Sequence, residues 1–177
     1  IATKFFFKNL SVNKVICYEP NEPYVRILKR LNNKNIIVYP YGIGQKESRH
    51  QVFLPRYKFF KKNLDLVTYT FYNKKDLIKQ IKIDFKFRKK ISIIKKIILL
   101  KKIKKMKLRI SLIKVDVNGH EYAVVKGIQN IIRRDKPAMI IETDKNIKKI
   151  EIYLKKLNYE KYFFDKKNKV FRKINKN

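Results

Sequence analysis

Short apolar runs alternate along the chain with segments whose apolar residues recur every three or four positions. The runs predict strands, because each is short and bounded by polar or turn-forming residues. They are KVICYEP (14–20), NIIVYPYGIG (35–44), HQVFLP (50–55), ISLIKVDV (110–117) and PAMIIETD (137–144). The periodic segments predict helices over residues 21–33, 120–136 and 146–159, and residues 1–10 have the pattern of a helix end. The closing stretch KYFFDKKNKVFRKI predicts two antiparallel strands around a DKKNK turn.

This alternation of strands and helices favours an α/β fold. Strand–helix–strand units make neighbouring strands parallel, and their helices then cover both faces of the sheet. The expected architecture is a mostly parallel sheet with helices on both faces and an antiparallel strand pair at the C-terminus. A length of 177 residues suits one domain with its own core, so we expect a single domain over residues 1–177.

The middle of the chain, residues 56–109, has no clear periodicity, and we interpret it as a basic insertion. Within it, residues 87–109 alternate lysine pairs with apolar pairs. We favour a helix whose lysine side chains extend over an apolar contact, with a basic amphipathic segment on a membrane surface as the alternative. The stretch RYKFFKKN (56–63) could stack on nucleic-acid bases, but burial of its aromatic rings in the core is the commoner outcome.

The formal net charge of +32 is extreme for a globular protein. Such a charge favours a polyanionic partner, either nucleic acid or an anionic membrane surface. The 46 basic residues are mostly lysine, however, and they are spread along the whole chain. Enrichment of Lys, Asn and Ile together is typical of a genome-wide drift in residue usage. We therefore expect no specific nucleic-acid site and only weak attraction to anionic surfaces, and a basic binding protein without catalysis stays as the alternative.

The few cysteines and histidines and the short apolar runs argue against disulfides, metal sites and membrane-spanning helices. Cys17 is the single cysteine, which excludes an internal disulfide and a cysteine-based zinc site. His50 and His120 do not form an HExxH pattern, so we expect no metal centre. No apolar run has the length of a membrane-spanning helix and no signal peptide is visible, so we expect a cytoplasmic protein without a transmembrane segment.

Acidic residues stand where three of the predicted strands end, namely Glu19, Asp116 and Glu142. In open parallel sheets, ligands bind at the carboxyl ends of the strands. Glu19 is a candidate to accept hydrogen bonds from the two hydroxyls of a ribose, although an acid there also stabilises the start of a helix through the macrodipole. Asp116 fits either a tight turn or the wall of a pocket.

The residues after Asp116 combine turn chemistry with ionisable groups. The pair Asn118-Gly119 predicts a turn. Glu121 lies in the first turn of the following helix, where an acid is favourable in any protein. His120 is a candidate general base, but the sequence shows no partner that would orient it.

Three segments together resemble the FkbM-type methyltransferases. They are VICYEPNEPYVRILKRLNN, ISLIKVDVNGHEYAVVKGIQNIIRRDKPAMIIET and IEIYLKKLNYEKYFF. The (I/V)KxDVxGxE stretch, followed by a helix, a KP pair and an (I/V)E strand, carries most of the resemblance, which covers residues 1–54 and 110–165. Such enzymes use S-adenosylmethionine and have a seven-stranded Rossmann-like sheet, and their connection equivalent to 56–109 varies in length.

The resemblance implies roles for residues that match the family's motifs. Glu19, in the motif Glu19-Pro20-Asn21, matches the acid that holds the cofactor ribose. Tyr41 and Gly42 lie where the family contacts the adenosine half of the cofactor. These five residues and Asp116 are the expected cofactor-binding set.

The resemblance also implies a catalytic set of Asp116, His120 and Glu121. Asp116 matches the acid beside the methyl group and the acceptor, and Glu121 matches the last acid of the motif. Asn118 stands where the family often has Glu, which removes one charge near the acceptor. The implied activity is O-methylation of a hydroxyl on a sugar, glycan or small metabolite.

A glycine-rich turn is expected before the first helix of such a fold, and the sequence does not contain it. The turn should precede the ribose acid by about 20 residues or more, yet no glycine precedes Gly42. The first strand, which would lie at the centre of the sheet, is missing with the turn. We therefore expect the chain to be an N-terminally truncated fragment or decayed copy of a longer enzyme, and to be inactive by itself.

Overall fold

The computed structural model describes residues 12–85, 90–142, 147–165, 167–168 and 170–174, which form a mixed α/β protein. Its strands are β1 (Val15–Tyr18), β2 (Ile36–Tyr39), β3 (Gly42–Ile43), β4 (Ser48–Phe59), β5 (Lys62–Asp65), β6 (Ile91–Lys101), β7 (Leu112–Val115), β8 (Ala138–Ile141), β9 (Tyr162–Asp165) and β10 (Val170–Lys173). Its helices are α1 (Glu22–Lys29), α2 (Lys74–Asp84), α3 (Glu121–Gly127), α4 (Gln129–Asp135) and α5 (Ile147–Lys155), with a 3-10 turn at Val67–Tyr69. None of the helices in these ranges is long and apolar enough to cross a membrane. The helix end predicted for residues 1–10 lies outside the described residues.

Two parallel strand pairs form from the clearest apolar runs. β1 pairs with β2 in a register that sets Val15 opposite Ile36, and β7 pairs with β8 in a register that sets Leu112 opposite Ala138. Among the described residues no strand joins the two pairs, since β1 is paired only with β2 and β7 only with β8. In both pairs the carboxyl ends of the strands lead into the acidic positions that the sequence singles out.

A four-stranded sheet in the order β3-β6-β4-β5 forms in the middle of the chain. β4 and β6 make a long antiparallel pair, with Ser48 opposite Leu100 at one end and Tyr57 opposite Ile91 at the other. The run predicted as a strand over 50–55 is therefore the centre of a longer hairpin arm.

The helix predicted within residues 87–109 is wrong, because β6 is a strand. Ile98 and Leu100 are buried, whereas Ile97 and Leu99 lie on the opposite, exposed face. Lysine pairs and apolar pairs conceal the period of two, since each pair places one member on each face of the sheet.

The pairing of the strands is mixed, and not mostly parallel as expected. The pairs β1–β2, β3–β6 and β7–β8 are parallel, while β4–β5, β4–β6 and β9–β10 are antiparallel. The difference arises in the middle of the chain, where the segment interpreted as an insertion contributes to antiparallel pairs in which β4 lies between β6 and β5. The antiparallel C-terminal pair, β9 with β10, is confirmed.

The larger core forms between the β7–β8 pair and helices α3, α4 and α5. Val115, Val125, Ile132 and Ile150 are buried there. Val115 belongs to β7, and the other three come one from each helix, so this face of the pair is covered by the helices. Lys114 lies on the opposite face of β7, and Asp116 follows the strand on that same side.

The helix predicted over 120–136 is divided at Ile128 into α3 and α4. Gly127, the last residue of α3, lies against the loop after β3. A Cβ atom at position 127 would lie 2.4 Å from the carbonyl oxygen of Gly44, which is closer than any real contact. A glycine is therefore required where this helix meets the four-stranded sheet.

Candidate functional site

The loop after β1 holds Glu19 in a partly buried position. The backbone N–H of Asn21 donates a hydrogen bond to Glu19 Oε1 at 2.8 Å. Burial raises the pKa of Glu19 above its ordinary value, although hydrogen bonds from Asn21 act in the opposite direction. A carboxylate only accepts hydrogen bonds, so this group is suited to a ligand that donates two, such as a vicinal diol.

Gly42, the first residue of β3, is buried directly against this loop. A Cβ atom at position 42 would lie 2.8 Å from Leu100 Cδ2, 3.6 Å from Pro20 Cγ and 3.8 Å from Tyr72 Oη. A side chain here would displace its neighbours, so glycine allows the backbone to stand beside Pro20 and Tyr72. The structure thus brings together the residues predicted from two separate loops.

Three tyrosine rings form a wall at the carboxyl ends of β1 and β2. The rings of Tyr18 and Tyr39 stack with centroids 5.1 Å apart, and the ring of Tyr41 lies 5.7 Å from Tyr18 and 5.5 Å from Tyr39. Burial, followed by the proximity of the other two phenols, raises the pKa of Tyr18 well above its usual range. Tyr41, a predicted cofactor contact, belongs to this tyrosine wall.

The loop after β7 is a turn held by a buried carboxylate. Asn118 and Gly119 have φ angles of 51° and 98°, which confirms the predicted turn. Glu121 is 0 % exposed, and its Oε1 accepts hydrogen bonds from the N–H groups of Val117 at 3.3 Å and Gly119 at 3.0 Å. The Glu121 carboxylate therefore fixes the turn that follows Asp116.

Residues 66–72 bridge the loops after β1 and β7. Phe71 is tied to β4 by reciprocal backbone hydrogen bonds with Phe53, both of 2.8 Å. Thr70 Oγ1 lies 3.5 Å from Asn21 Oδ1, and Asn118 Nδ2 donates to the carbonyl of Thr70 at 3.1 Å. This bridge brings together two loops that are almost a hundred positions apart in the sequence.

Tyr72 lies at the centre of the assembled group. Its ring stacks on that of His120, with centroids 4.0 Å apart and planes inclined by only 6°. Burial raises the pKa of Tyr72 well above its usual range, and the negative charges of Glu19 and Glu121 act in the same direction. Tyr72 therefore stays a neutral phenol in the field of the two carboxylates.

The two histidines meet at this tyrosine. The ring of His50 lies 5.2 Å from Tyr72 and 5.7 Å from His120. Burial lowers the pKa of His120 to about 4, with a further contribution from His50. His120 Nε2 is buried and has no hydrogen-bond partner among the described residues. Across the described ranges, no group of three or more His, Cys, Asp or Glu side chains could hold a metal ion.

Asp116 and Glu142 stand side by side after β7 and β8. Val115 pairs with Ile141 in the parallel register, and the N–H of Glu142 donates to the carbonyl of Val115 at 3.0 Å. The two side chains hydrogen-bond to each other, and Lys114 Nζ forms an ion pair with Asp116. Two acids predicted separately at strand ends are therefore one carboxyl pair.

Asp116 and Glu142 shift each other's pKa in opposite directions. The hydrogen bond with Asp116 raises the pKa of Glu142 to about 7, and burial and the charges of Asp116 and Glu121 act in the same direction. Burial also tends to raise the pKa of Asp116, but hydrogen bonds from Lys114 and Glu142 outweigh it and hold that pKa below its ordinary value. The pair consequently gains its second negative charge near neutral pH.

His50, Thr70 and Tyr72 are the parts of the site that sequence reasoning missed. All three belong to β4 or to the segment that β4 supports, within or next to the stretch without clear periodicity. No spacing in the sequence relates them to Glu19 or His120, because their position depends on the β4–β6 pairing. Glu142 had a local signal, since it ends a strand as Asp116 does.

Acidic residues follow β1, β7 and β8, and Glu19 and Glu121 lie near the partly buried Tyr72, so these strand ends are the candidate ligand site of an α/β domain. The chain belongs to the FkbM methyltransferase family, because residues 3–161 of its 177 match the family described as "Methyltransferase FkbM domain". The resemblance stated from the motifs is thereby confirmed, and the match also includes the middle of the chain. No curated protein and no solved structure shows a significant match.

Proposed function

We propose that the protein is an S-adenosylmethionine-dependent methyltransferase that methylates a hydroxyl group of a sugar or small metabolite in the cytoplasm. The observation that carries the proposal is the assembly of Glu19, Tyr72, His120 and Glu121 from separate segments into one group at the strand ends. In open α/β sheets this is where ligands bind. Family membership supplies the reaction class, and the site supplies the residues.

The two parallel strand pairs support a Rossmann-like arrangement within this proposal. Both pairs present acids at their carboxyl ends, Glu19 after β1 and the Asp116–Glu142 pair after β7 and β8. Residues 66–72 connect these ends through Asn21 and Asn118. We infer that β1–β2 and β7–β8 are the two halves of one ligand-binding sheet, with the sheet around the β4–β6 pair as an addition.

The residues at the end of β1 fit the adenosine half of the cofactor. The Glu19 carboxylate can accept hydrogen bonds from both ribose hydroxyls, and Pro20, Asn21 and Gly42 shape the backbone around it. The tyrosine wall offers aromatic surface for a purine ring next to this acid. When bound, the cofactor would supply a methyl group on a positively charged sulfur.

The carboxyl pair fits the acceptor half of the reaction. A hydroxyl that takes up a methyl group must lose its proton, and a base of matched pKa contributes roughly 100-fold or more to the rate. Asp116 with Glu142 loses its shared proton near neutral pH, so it is the group best suited to accept one from the acceptor. The negative charge of the pair also complements a cationic methyl donor.

His120 and Glu121, the other predicted catalytic residues, receive different roles in this proposal. His120 is a weak base with a pKa of about 4, and its ring is held flat against Tyr72. Glu121 is occupied by backbone N–H groups of its own loop. We assign both a positioning role, in which they hold the loop that carries Asp116.

The test is methyl transfer from labelled S-adenosylmethionine to a panel of sugars and hydroxylated metabolites, with protein expressed from the complete reading frame. Asp116→Asn should lower turnover by about 100-fold or more, while the thermal midpoint stays within a few degrees. Asp84→Asn is the matched control, because Asp84 is an exposed acid at the end of α2 whose hydrogen-bond partners are Gln80 and Tyr69, and neither of these belongs to the carboxyl pair. Normal turnover of folded Asp116→Asn protein, or cofactor binding without transfer to any hydroxyl, would contradict the proposal.

A further inference from the structure

The turn between β4 and β5 exposes two adjacent phenylalanines. Phe59 is 56 % exposed and Phe60 is 84 % exposed. Their rings touch edge to face, with centroids 4.7 Å apart. The expected burial of these rings in the core is therefore wrong. Exposed apolar side chains that lie next to each other mark interaction sites, whereas single exposed apolar residues are normal on a protein surface.

The backbone of the turn is also unusual for the residue it carries. Phe60 has a φ angle of 51°, in the left-handed region that bulky residues rarely adopt. Glycine or asparagine is usual at such positions of tight hairpin turns. A phenylalanine here costs backbone strain and exposes its ring, so local folding does not account for its presence.

Lysines surround the exposed rings. Lys58, Lys61 and Lys62 are exposed, and none of them forms an ion pair with a carboxylate of the described residues. The nearest acid in the sequence, Asp65, is held by Arg56 at 2.7 Å and Lys96 at 3.3 Å. The tip therefore combines apolar surface with uncompensated positive charge.

We propose that this hairpin tip, residues 58–64, docks the protein onto an anionic lipid bilayer. Phe59 and Phe60 enter the region between headgroups and acyl chains, where aromatic rings are favoured, and Leu64 adds a third exposed apolar side chain. The three lysines contact the anionic headgroups. The negative surface of such a bilayer attracts the lysines of the tip. Its interface is also a more favourable environment than water for the aromatic rings.

The geometry favours a bilayer over a nucleic acid. Proteins that bind single strands present aromatic faces along a basic groove, so that successive bases stack on them. Phe59 and Phe60 instead pack edge to face, which covers part of one ring with the other. They stand at the turn between β4 and β5, where both rings are exposed at a hairpin tip. An exposed apolar hairpin tip flanked by lysines has the composition of a segment that binds at a membrane interface.

The absence of tryptophan from the sequence gives a direct test. A Phe60→Trp variant contains a single indole, whose emission reports the surroundings of the tip. Phe171→Trp is the matched control, because Phe171 is 71 % exposed in another hairpin, where the neighbouring Arg172 and Lys173 form ion pairs with Asp165 and Glu160. With vesicles of phosphatidylcholine and phosphatidylserine at physiological ionic strength, Phe60→Trp should show blue-shifted emission and quenching by brominated lipid. The control should show neither.

Vesicle co-sedimentation separates the tip from the general charge of the protein. Replacing Lys58, Lys61 and Lys62 by Gln should weaken binding by about 100-fold, since each lysine at the surface contributes roughly fivefold. The same replacement at Lys104, Lys105 and Lys107, which are also exposed, should weaken it by less than about fivefold, because these residues would lie beyond a Debye length. Phe60→Ser should weaken binding by roughly tenfold, with an unchanged thermal midpoint.

Three results would overturn the proposal. One is binding to anionic vesicles without any change in the emission of Phe60→Trp. Another is equal loss of binding in the two lysine triple variants. The third is an equal emission shift of Phe60→Trp with single-stranded DNA together with displacement of the protein from vesicles by that DNA, which would assign the tip to nucleic acid.

Discussion

Glu19 is the residue on which the assignment of the cofactor site depends most directly. Its carboxylate is partly buried, and Asn21 holds it in place. If it binds the ribose hydroxyls, Glu19→Ala should weaken the binding of S-adenosylhomocysteine by about 1.5–3 kcal/mol, the range for hydrogen bonds that involve a charged group. Titration calorimetry on protein from the complete reading frame measures this difference.

The matched control for that substitution is Glu22→Ala. Glu22 is a nearby acid, but it is exposed and forms an ion pair with Arg26 on the surface of α1. Exposed pairs of this kind contribute little, so ligand affinity should not change. Equal affinities of the wild type and the Glu19→Ala variant would show that the ribose does not bind at this acid.

The carboxyl pair predicts how activity depends on pH. The pKa of Glu142 is raised from its ordinary value of 4.5 to about 7, so the pair gains full negative charge only above that pH. If the pair accepts the proton of the acceptor hydroxyl, kcat/KM should rise as pH passes through about 7. In Glu142→Gln the shared proton is gone, and this rise should disappear. A rise near pH 7 that persists in Glu142→Gln would assign the ionisation to another group.

The same group affects folding stability in the opposite sense. The pKa of Glu142 is higher in the folded protein, so the folded state binds more protons than the unfolded state between pH 4.5 and about 7. The stabilisation by the Asp116–Glu142 hydrogen bond is therefore complete below pH 4.5 and is lost as pH rises through about 7. Urea unfolding of the wild type and Glu142→Gln across this range should show a difference in unfolding free energy that shrinks toward high pH. A constant difference would mean that no proton is shared.

At the residue scale, the sequence predicts single acids better than it predicts their partners. Glu19, Asp116 and Glu142 each follow an apolar run, which is a local signal. The hydrogen bond between Asp116 and Glu142 depends on the parallel register of β7 and β8, and the contact of His120 with Tyr72 depends on how the middle of the chain folds. Local patterns contain no information about either.

At the element scale, the junction between α3 and the four-stranded sheet rests on Gly127. Replacing a helical glycine by alanine ordinarily raises stability by about 0.5–1 kcal/mol. Here the new Cβ would lie 2.4 Å from Gly44 O and 2.9 Å from Ile43 Cγ2, so backbone has to move. Gly127→Ala should therefore lower the free energy of unfolding by about 1–3 kcal/mol, the usual cost of overpacking. Chemical unfolding measures this change in the free energy of unfolding, and the sign of the change is sufficient to test the prediction.

Gly119→Ala is the comparison that separates packing from backbone strain. No atom lies within 4 Å of a Cβ built at Gly119, but its φ angle is 98°. Its destabilisation would come from the backbone, so Gly119→Asn, which tolerates positive φ better, should recover part of the loss. Gly127→Asn should recover none. A stabilising effect of Gly127→Ala would contradict the close approach of α3 to the loop after β3.

The elements that could be predicted are those whose pattern is local. β1, β7 and β8 are apolar runs with clear ends, and α5 has regular spacing. β6 could not be predicted, because its paired lysines and paired isoleucines fit a strand only when β4 supplies the partner. The division between α3 and α4 lies directly after Gly127, whose close approach to Gly44 the helical spacing of that segment does not show.

At the scale of the whole molecule, the high charge has two components. Most lysines are distributed over all elements, which agrees with a compositional origin. The lysines around Phe59 and Phe60 differ, because they stand beside exposed rings at a strained turn and form no ion pair with a carboxylate of the described residues. A uniform field attracts any polyanion weakly and in a salt-dependent way. Only positive charge combined with exposed apolar surface favours one kind of partner, which is an anionic lipid bilayer.

The arrangement of the two parallel pairs leads to the final prediction, which concerns cofactor recognition by the 177-residue chain. In the proposed function, Glu19 and the tyrosine wall bind the adenosine half of the cofactor, whereas no described strand lies between β1 and β7. We therefore expect the chain to recognise adenosine and to make little contact with the amino-acid end of the cofactor. S-adenosylhomocysteine and 5′-methylthioadenosine, which differ only in that end, should bind with affinities within about threefold, a difference below 1 kcal/mol. Glu19→Ala should weaken both equally. If calorimetry shows S-adenosylhomocysteine binding at least about tenfold more tightly, the chain contains a site for the amino-acid end, and the expectation that it is inactive by itself is wrong.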